Sequence, residues 1–460
     1  MKKVKIGFLP LYVKLYDDGS PEIRPRINAF SEEIANKLQI DGETEVISAD
    51  VCRLENEFED AFALFKKEEV DCVVTLHLAY SPSLQSEKIL KNTDLPIIIL
   101  DTTPTFDYTD NAENTLMYNH GIHGVQDMCN LLVRNNKRFF IEAGHYEKSD
   151  VVARVIKRAK GILAAKTFSS AKVGRIGGEF DGMGDFLLDD GVFETLGIER
   201  LELSQYEAKS YMQKVTDEEI DVLIEEDQGK YIVQELKEDF YRNSIRGDLA
   251  VRKWIEDNNL TAFTANFMNI KSDFGLSGMP FAEANRAMER GIGYAGEGDF
   301  LTAALVGAFM SVSNETSFVE MFCPDWKNNM IFISHMGEMN TALAAEKPKY
   351  MKKEMQFSDI DTTWTCGTYK SGTATLVDIA PLGGSNFRII TSLVEMQVPE
   401  CANFKNDTTC GWFSPNSDIS DFLENYSKLG GTHHLSLMYG DMRKTAETFA
   451  ELKKFDYIEI

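Results

Sequence analysis

Three features of the sequence predict an α/β chain with two doubly wound units followed by a compact β domain. Apolar β-rich runs alternate with helical patterns through the first third. The alternation starts again near Val173, and from about residue 312 hairpin patterns replace it. Alternation of this kind is the signature of a parallel sheet covered by helices.

In the first unit, Val4 to Leu9, Glu45 to Ser48, Cys72 to Leu78, Ile97 to Leu100 and Phe139 to Glu142 read as strands. The clearest helix runs from Val151 to Ala164, where Val151, Val155, Ala159, Ile162 and Leu163 recur on one face and Ser149 stands where an N-cap belongs. In the second unit, Val173 to Ile176 opens the sheet. A helix over 216 to 226 follows, with Thr216 and Glu219 as a capping box. Ala262 to Phe267 and the segment before Glu297 supply later strands. Thr373 to Ala380 and Phe387 to Val394 flank the turn residues Pro381 to Asn386 and read as an antiparallel hairpin. The domains expected from this are 1–168, 169–311 and 312–460.

Composition bounds the function. A chain of 460 residues, at about 150 per domain, holds two or three domains. Its 48 Lys and Arg against 73 Asp and Glu give a net charge of −25, which disfavours nucleic acid and anionic membrane surfaces as partners. The seven cysteines are widely separated with no C-x-x-C pair, so neither a disulfide framework nor a structural zinc site is expected, and a reducing, cytoplasmic setting fits best. Met1 to Tyr16 pairs basic residues with an apolar run as a secretory signal would, but Lys14 interrupts it, and it reads as the first strand. Leu301 to Val312, the longest uncharged apolar stretch, falls well short of the ~20 residues that span a bilayer.

Candidate chemistry concentrates at strand ends. Ligands of open α/β sheets bind beyond the carboxyl ends of the strands, and there stand His77-Leu78-Ala79-Tyr80, Asp101-Thr102 and Gly144-His145. His120-Gly121-Ile122-His123-Gly124 opens a helix, and Gly430-Gly431-Thr432-His433-His434 precedes an apolar run. Each histidine alone reads first as a hydrogen-bonded structural residue, and it is their joint placement at strand ends and beside glycines that points to function. A sharper signal lies between 293 and 339: Glu297 between two glycines, Glu320 after Thr316-Ser317-Phe318-Val319, and His335 in Ser334-His335-Met336-Gly337-Glu338. Two carboxylates with one or two imidazoles and no thiolate suit a divalent ion such as Mn²⁺ or Co²⁺. The spacings of 23 and 15 residues match no short metal motif, and a glycine-flanked glutamate can also be a helix cap. Gly177-Gly178-Glu179-Phe180-Asp181-Gly182-Met183-Gly184 follows a strand, yet lacks both G-x-G-x-x-G order and the Walker Lys-Ser/Thr, and reads as a tight connection. No G-x-S-x-G elbow supports a serine nucleophile.

The residues from Gly291 to Leu305, GIGYAGEGDFLTAAL, resemble the glutamate-bearing segment of L-arabinose isomerases. Thr316 to Glu320 is similar to that family's second glutamate motif. Ser334-His335-Met336 and Gly430 to His434 resemble its two histidine motifs, in the same order. Weaker likenesses run through His77 to Pro82, His123-Gly124 and Thr261 to Thr264. The resemblance implies an aldose–ketose isomerase of the arabinose/fucose isomerase group, with two Rossmann-like doubly wound domains and a C-terminal antiparallel β-barrel domain carrying much of the metal site. It implies Mn²⁺, with Co²⁺ or Mg²⁺ as alternatives, held by Glu297, Glu320, His335 and His434, the two glutamates also moving protons. His433, His123, His120, Tyr16 and His77 would contact a sugar, His123 from a neighbouring subunit of a hexamer or tetramer with active sites at subunit interfaces. Val13 stands where the family carries a polar substrate-facing residue, and His120 where it carries glutamine. The metal set is intact while the sugar, a pentose, hexose or modified aldose, is left open. The alternative is a non-catalytic sugar-binding or regulatory protein on the same fold.

Overall fold

The first apolar run becomes β1 (Val4–Leu11), and β2 (Thr44–Ser48), β3 (Cys72–His77), β4 (Ile97–Asp101) and β5 (Phe140–Ala143) follow as the alternation predicts. They form a parallel sheet in the order β2-β1-β3-β4-β5. The order reverses between β1 and β3, which places a topological switch point at their carboxyl ends. Helix Glu55–Lys67 buries Phe58, Ala61, Phe62 and Phe65 on one stripe. The Phe65 ring lies where a Cβ on Gly7 would stand, 2.9 Å away, so a glycine in β1 sets how closely that helix packs. This computed structural model describes residues 2–108, 115–234, 236–355, 358–398 and 408–460. It contains two units, Met1–Leu163 and Ala164–Ile460, of which this sheet belongs to the first.

The second unit begins with another parallel sheet. Strands β6 (Lys172–Ile176) and β7 (Glu199–Leu203) pair with each other, whereas the two-residue β8 (Ile232–Val233) joins the C-terminal sheet; β9 (Ala262–Ala265) and β10 (Gly293–Gly296) complete the order β10-β9-β6-β7. The capping box is present on helix Asp217–Lys230: Thr216 accepts from Glu219 N, and the Glu219 carboxylate accepts from Thr216 N. Helix Phe300–Met310 contains most of the long apolar stretch and is buried at every residue. No described helix is long and apolar enough to cross a membrane.

The remaining strands are β11 (Thr316–Asp325), β12 (Met330–His335), β13 (Lys349–Lys353), β14 (Thr362–Thr368), β15 (Gly372–Pro381), β16 (Phe387–Gln397), β17 (Thr409–Pro415), β18 (His434–Tyr439) and β19 (Asp456–Glu459). Strands β16, β15, β18, β11, β12 and β17 pair antiparallel in that order, and β17 returns to β16, closing a six-stranded barrel. The expected hairpin is β15–β16, paired from Gly372↔Met396 to Pro381↔Phe387. Val319, Ile333, Leu376, Phe413, Leu435 and Leu437 fill the barrel core. No disulfide joins the described cysteines, and Cys401 lies outside the described residues.

Candidate active site and metal centre

Strand register brings the C-terminal candidate ligands together. Glu320 on β11 is the direct partner of His434 on β18 and of Ser334 on β12, one residue before His335. Cross-strand partners hold their Cβ atoms about 4.5–5.5 Å apart. The His335 Nε2 lies 3.8 Å from Glu320 Oε2. Glu297 enters from the carboxyl end of β10, with its Oε2 3.9 Å from His434 Nε2 and 3.5 Å from His433 Nε2. Ligand atoms of Glu320, His335 and His434 all lie within 4.8 Å of one another, as do those of Glu297, His433 and His434. His434 belongs to both sets, so the four residues assigned as ligands by resemblance, plus His433, form one cluster in the second unit.

The glycines around Glu297 leave room for the protein itself rather than for a ligand. A Cβ on Gly296 would stand 2.6 Å from the His335 ring, and one on Gly298 2.7 Å from the Gly178 carbonyl, so both gaps are filled by the protein. Glu297 itself has φ 62°, a left-handed conformation that costs a non-glycine residue about 1–3 kcal/mol. Its N–H donates to Ala265 O (2.9 Å), and the Gly298 N–H donates to Thr264 Oγ1 (3.0 Å), which pins the turn. The helix cap here is Asp299: its Oδ1 accepts from Thr302 N (2.9 Å).

Each imidazole of the cluster has a carboxylate on Nδ1. His434 donates to Asp299 Oδ2 (2.9 Å), His335 to Glu338 Oε2 (2.8 Å) and His433 to Asp185 Oδ2 (2.6 Å). Tyr294 donates to the other oxygen of Glu338 (2.9 Å). Such pairs fix the ring and its tautomer and leave Nε2 facing inward, the usual second layer of a histidine metal site. The Nε2 of His434 is buried without a hydrogen-bond partner. An unpaired buried acceptor is costly, and a cation shared with Glu297, Glu320 and His335 would satisfy it. The oxygen and nitrogen donors present therefore fit a divalent ion of the Mn²⁺ class.

Apolar walls surround the cluster. Phe318 packs edge-on against His335 and His434, both at 5.0 Å between ring centroids, and Phe186 stacks on His434 at 5.3 Å. Burial pushes the Glu320 carboxyl above its ordinary range. Burial acts the same way on Glu297, but the three histidines outweigh it and hold that carboxyl below the range. Burial lowers His335 and His433, but Glu338 and Asp185 respectively reverse this and bring them up to about 9 and about 10. Sequence reasoning missed Asp185, Asp299 and Glu338. Asp299 and Glu338 stand two and three residues from assigned ligands, a signal that was readable; Asp185 is 248 positions from His433.

The other residues assigned to substrate lie in the first unit, gathered at its switch point. Tyr16 OH and His120 Nε2 share a hydrogen bond of 2.7 Å with the rings stacked, and His123 packs between His120 and Tyr80. His77, at the end of β3, is buried with both ring nitrogens unpartnered, and burial takes it down to about 3. Tyr12 OH, Ser81 Oγ and His120 Nδ1 are likewise buried without partners.

The chain is similar to known proteins of one family. Residues 195–315 match the model of the L-arabinose isomerase central domain and residues 315–456 that of the L-arabinose isomerase C-terminal domain, together more than half of the chain. Proteins named L-arabinose isomerase from Oceanobacillus iheyensis and Shewanella baltica are each 25% identical to this chain, over 86% and 92% of it and 85% of their own length. The L-arabinose isomerase of Mannheimia succiniciproducens is 25% identical over 100% of this chain and 95% of its own.

Proposed function

The chain belongs to the L-arabinose isomerase family of sugar aldose–ketose isomerases, and we propose that it interconverts an aldose and its ketose through an enediol, using a divalent metal held by Glu297, Glu320, His335 and His434. The observation that carries this reading is the convergence of two glutamates and two carboxylate-backed imidazoles, one with an unpartnered buried Nε2. Mn²⁺, or Co²⁺ or Mg²⁺ in its place, would supply Lewis-acid polarisation of the sugar carbonyl.

The remaining chemistry falls to this chain's own residues. A proton leaves the carbon beside the carbonyl and is returned to the carbonyl carbon while the adjacent hydroxyl's proton passes to the carbonyl oxygen, and Glu297 and Glu320 would take and give the carbon-bound proton. Each such transfer typically contributes roughly 10²- to 10⁴-fold. His433, with Nδ1 tied to Asp185, presents Nε2 toward Glu297 and a bound hydroxyl. Phe318 and Phe186 keep water from the ligand side of the imidazoles, which strengthens every charge interaction there.

The Tyr16, His77, His120 and His123 cluster would take part of the sugar, contributed by a second copy in a homo-oligomer, a hexamer or tetramer. Its unpartnered buried groups support a ligand there, and exposed Leu15, Leu84, Leu116 and Ile122, in the segments that follow β1, β3 and β4, support a protein neighbour. A cytoplasmic setting fits the absence of disulfides among the described cysteines.

Glu297→Gln tests the reading. In Mn²⁺-loaded protein it should abolish aldose–ketose interconversion across a panel of pentoses and hexoses, and deuterium exchange at the second carbon, while the thermal transition remains. Undiminished turnover would refute the assignment. Binding of sugar by the unaltered protein without any exchange would favour the non-catalytic alternative.

A further inference from the structure

The glycine-rich segment after β6 is the part of the sequence that the metal cluster does not explain. Gly177, Gly178 and Gly182 all have positive φ (88°, 73° and 89°), which lets the chain turn sharply where β-carbons would be strained. Asn269 donates to Gly177 O (2.8 Å) and Asn266 to Glu179 O (2.6 Å), while the Gly178 carbonyl packs against Gly298. The segment is thereby fixed against the Glu297 turn, and it delivers two side chains to the cluster. Phe186 stacks on His434, and Asp185 takes His433.

Asp185 Oδ2 accepts from both the ring Nδ1 (2.6 Å) and the backbone N–H (3.1 Å) of His433, so one oxygen fixes the residue's backbone and its ring together. The carboxylates behind His335 and His434 have no exposed side-chain surface, whereas the Asp185 side chain is 34% exposed. Two imidazoles are locked from inside the core, and the third is locked by a connection at the mouth of the site. That division matches two jobs, holding an ion and meeting a sugar.

On the reading of the cluster as a sugar isomerase site, we infer that Asp185 is the positioning residue for His433. It holds Nδ1–H and turns Nε2 toward the space beside Glu297, so that His433 can hydrogen-bond a sugar hydroxyl.

Asp185→Ala and Asp185→Asn in the full chain test this by three readouts: Mn²⁺ affinity by calorimetry, binding of xylitol, ribitol and arabinitol to the Mn²⁺-loaded protein, and KM and kcat for the aldose panel. These polyols carry an aldose's hydroxyls without a carbonyl to isomerise. The expected result is Mn²⁺ affinity close to that of the unaltered protein, with polyol affinity weakened and KM raised about 10- to 100-fold and kcat changed much less. Intact Mn²⁺ binding also shows that the variants fold. Polyol affinity and KM equal to those of the unaltered protein would overturn the inference, and so would a loss of Mn²⁺ affinity as large as the loss for polyol. Polyol binding by the unaltered protein without turnover of any aldose would overturn the isomerase reading alone, leaving the polyol comparison to decide on Asp185.

Discussion

Asp299 shows how much one residue can carry. Its Oδ1 caps helix Phe300–Met310 and its Oδ2 orients His434, so the helix start and an imidazole of the cluster share a single carboxylate. Asp299→Ala should cost about 1 kcal/mol of stability from the lost cap and about 10- to 100-fold in metal affinity from the lost partner. Asp299→Asn can still cap, and should lose metal affinity while the melting temperature changes little; loss of both together would contradict the separation. Asp378 gives the pH dependence. It is fully buried beneath Thr432, and burial pushes it up to about 7 even though the Thr432 N–H and hydroxyl both donate to it. An unfolded carboxyl ionises near 3.8, so between the two values the folded chain holds a proton that the unfolded chain has shed. This group's stabilisation is whole below about pH 4, declines by at most about 1.4 kcal/mol per pH unit as pH rises toward 7, and then levels. Asp378→Asn should remove the decline, so the stability difference between unaltered protein and variant narrows from acid to neutral pH. A constant difference would contradict this. At this scale the residue types suited to a divalent ion were legible between 293 and 339, the resemblance supplied the set of Glu297, Glu320, His335 and His434, and the fold brings those four together. The carboxylates behind them were not recognised. Two stand beside ligands and carry no mark of burial, and Asp185 is joined to His433 only by the fold.

Elements were legible where their patterns are strong. The period-2 and continuous apolar runs gave β1, β3, β4 and the β15–β16 hairpin, and the capping box gave the start of helix Asp217–Lys230. Strand β7 was missed because only Leu203 of its five residues is buried, and β8 because two residues carry no period. Helix Val151–Phe168 continues past the expected Ala164, since nothing in Ala165 to Phe168 stops a helix. The element most tightly tied to the site is β10. A Cβ on Gly293 would stand 2.3 Å from Gly307 N and 2.5 Å from Ala303 O, so the strand lies directly on the backbone of helix Phe300–Met310. Gly293→Ala should force them apart, costing about 1–3 kcal/mol and shifting the Glu297 turn at the end of the strand. Denaturant unfolding and Mn²⁺ affinity measured on the same variant check this, and an unchanged midpoint with unchanged affinity would contradict it.

Across the whole molecule, the repeated alternation made both parallel sheets legible, whereas the closed barrel came from resemblance. Closure depends on β17 pairing with β12 and on β18 entering between β15 and β11, strands from distant parts of the chain, and no local pattern encodes those pairings. The net charge of −25 and the two carboxylates of the cluster both favour a cation over an anionic ligand. Since an ion that binds only the folded chain stabilises it by RT ln(1 + [L]/Kd), free Mn²⁺ at 100 times its Kd should add about 2.7 kcal/mol to unfolding. The most direct measurement is therefore a Mn²⁺ titration of chelator-treated protein, beside the same titration of Glu320→Gln and of the double variant His335→Gln, His434→Gln. One ion bound per chain, weakened in the first variant and abolished in the second, is the predicted result. Unaltered protein that takes up no divalent ion, or variants that bind it as well as the unaltered chain, would contradict the metal site on which the account rests.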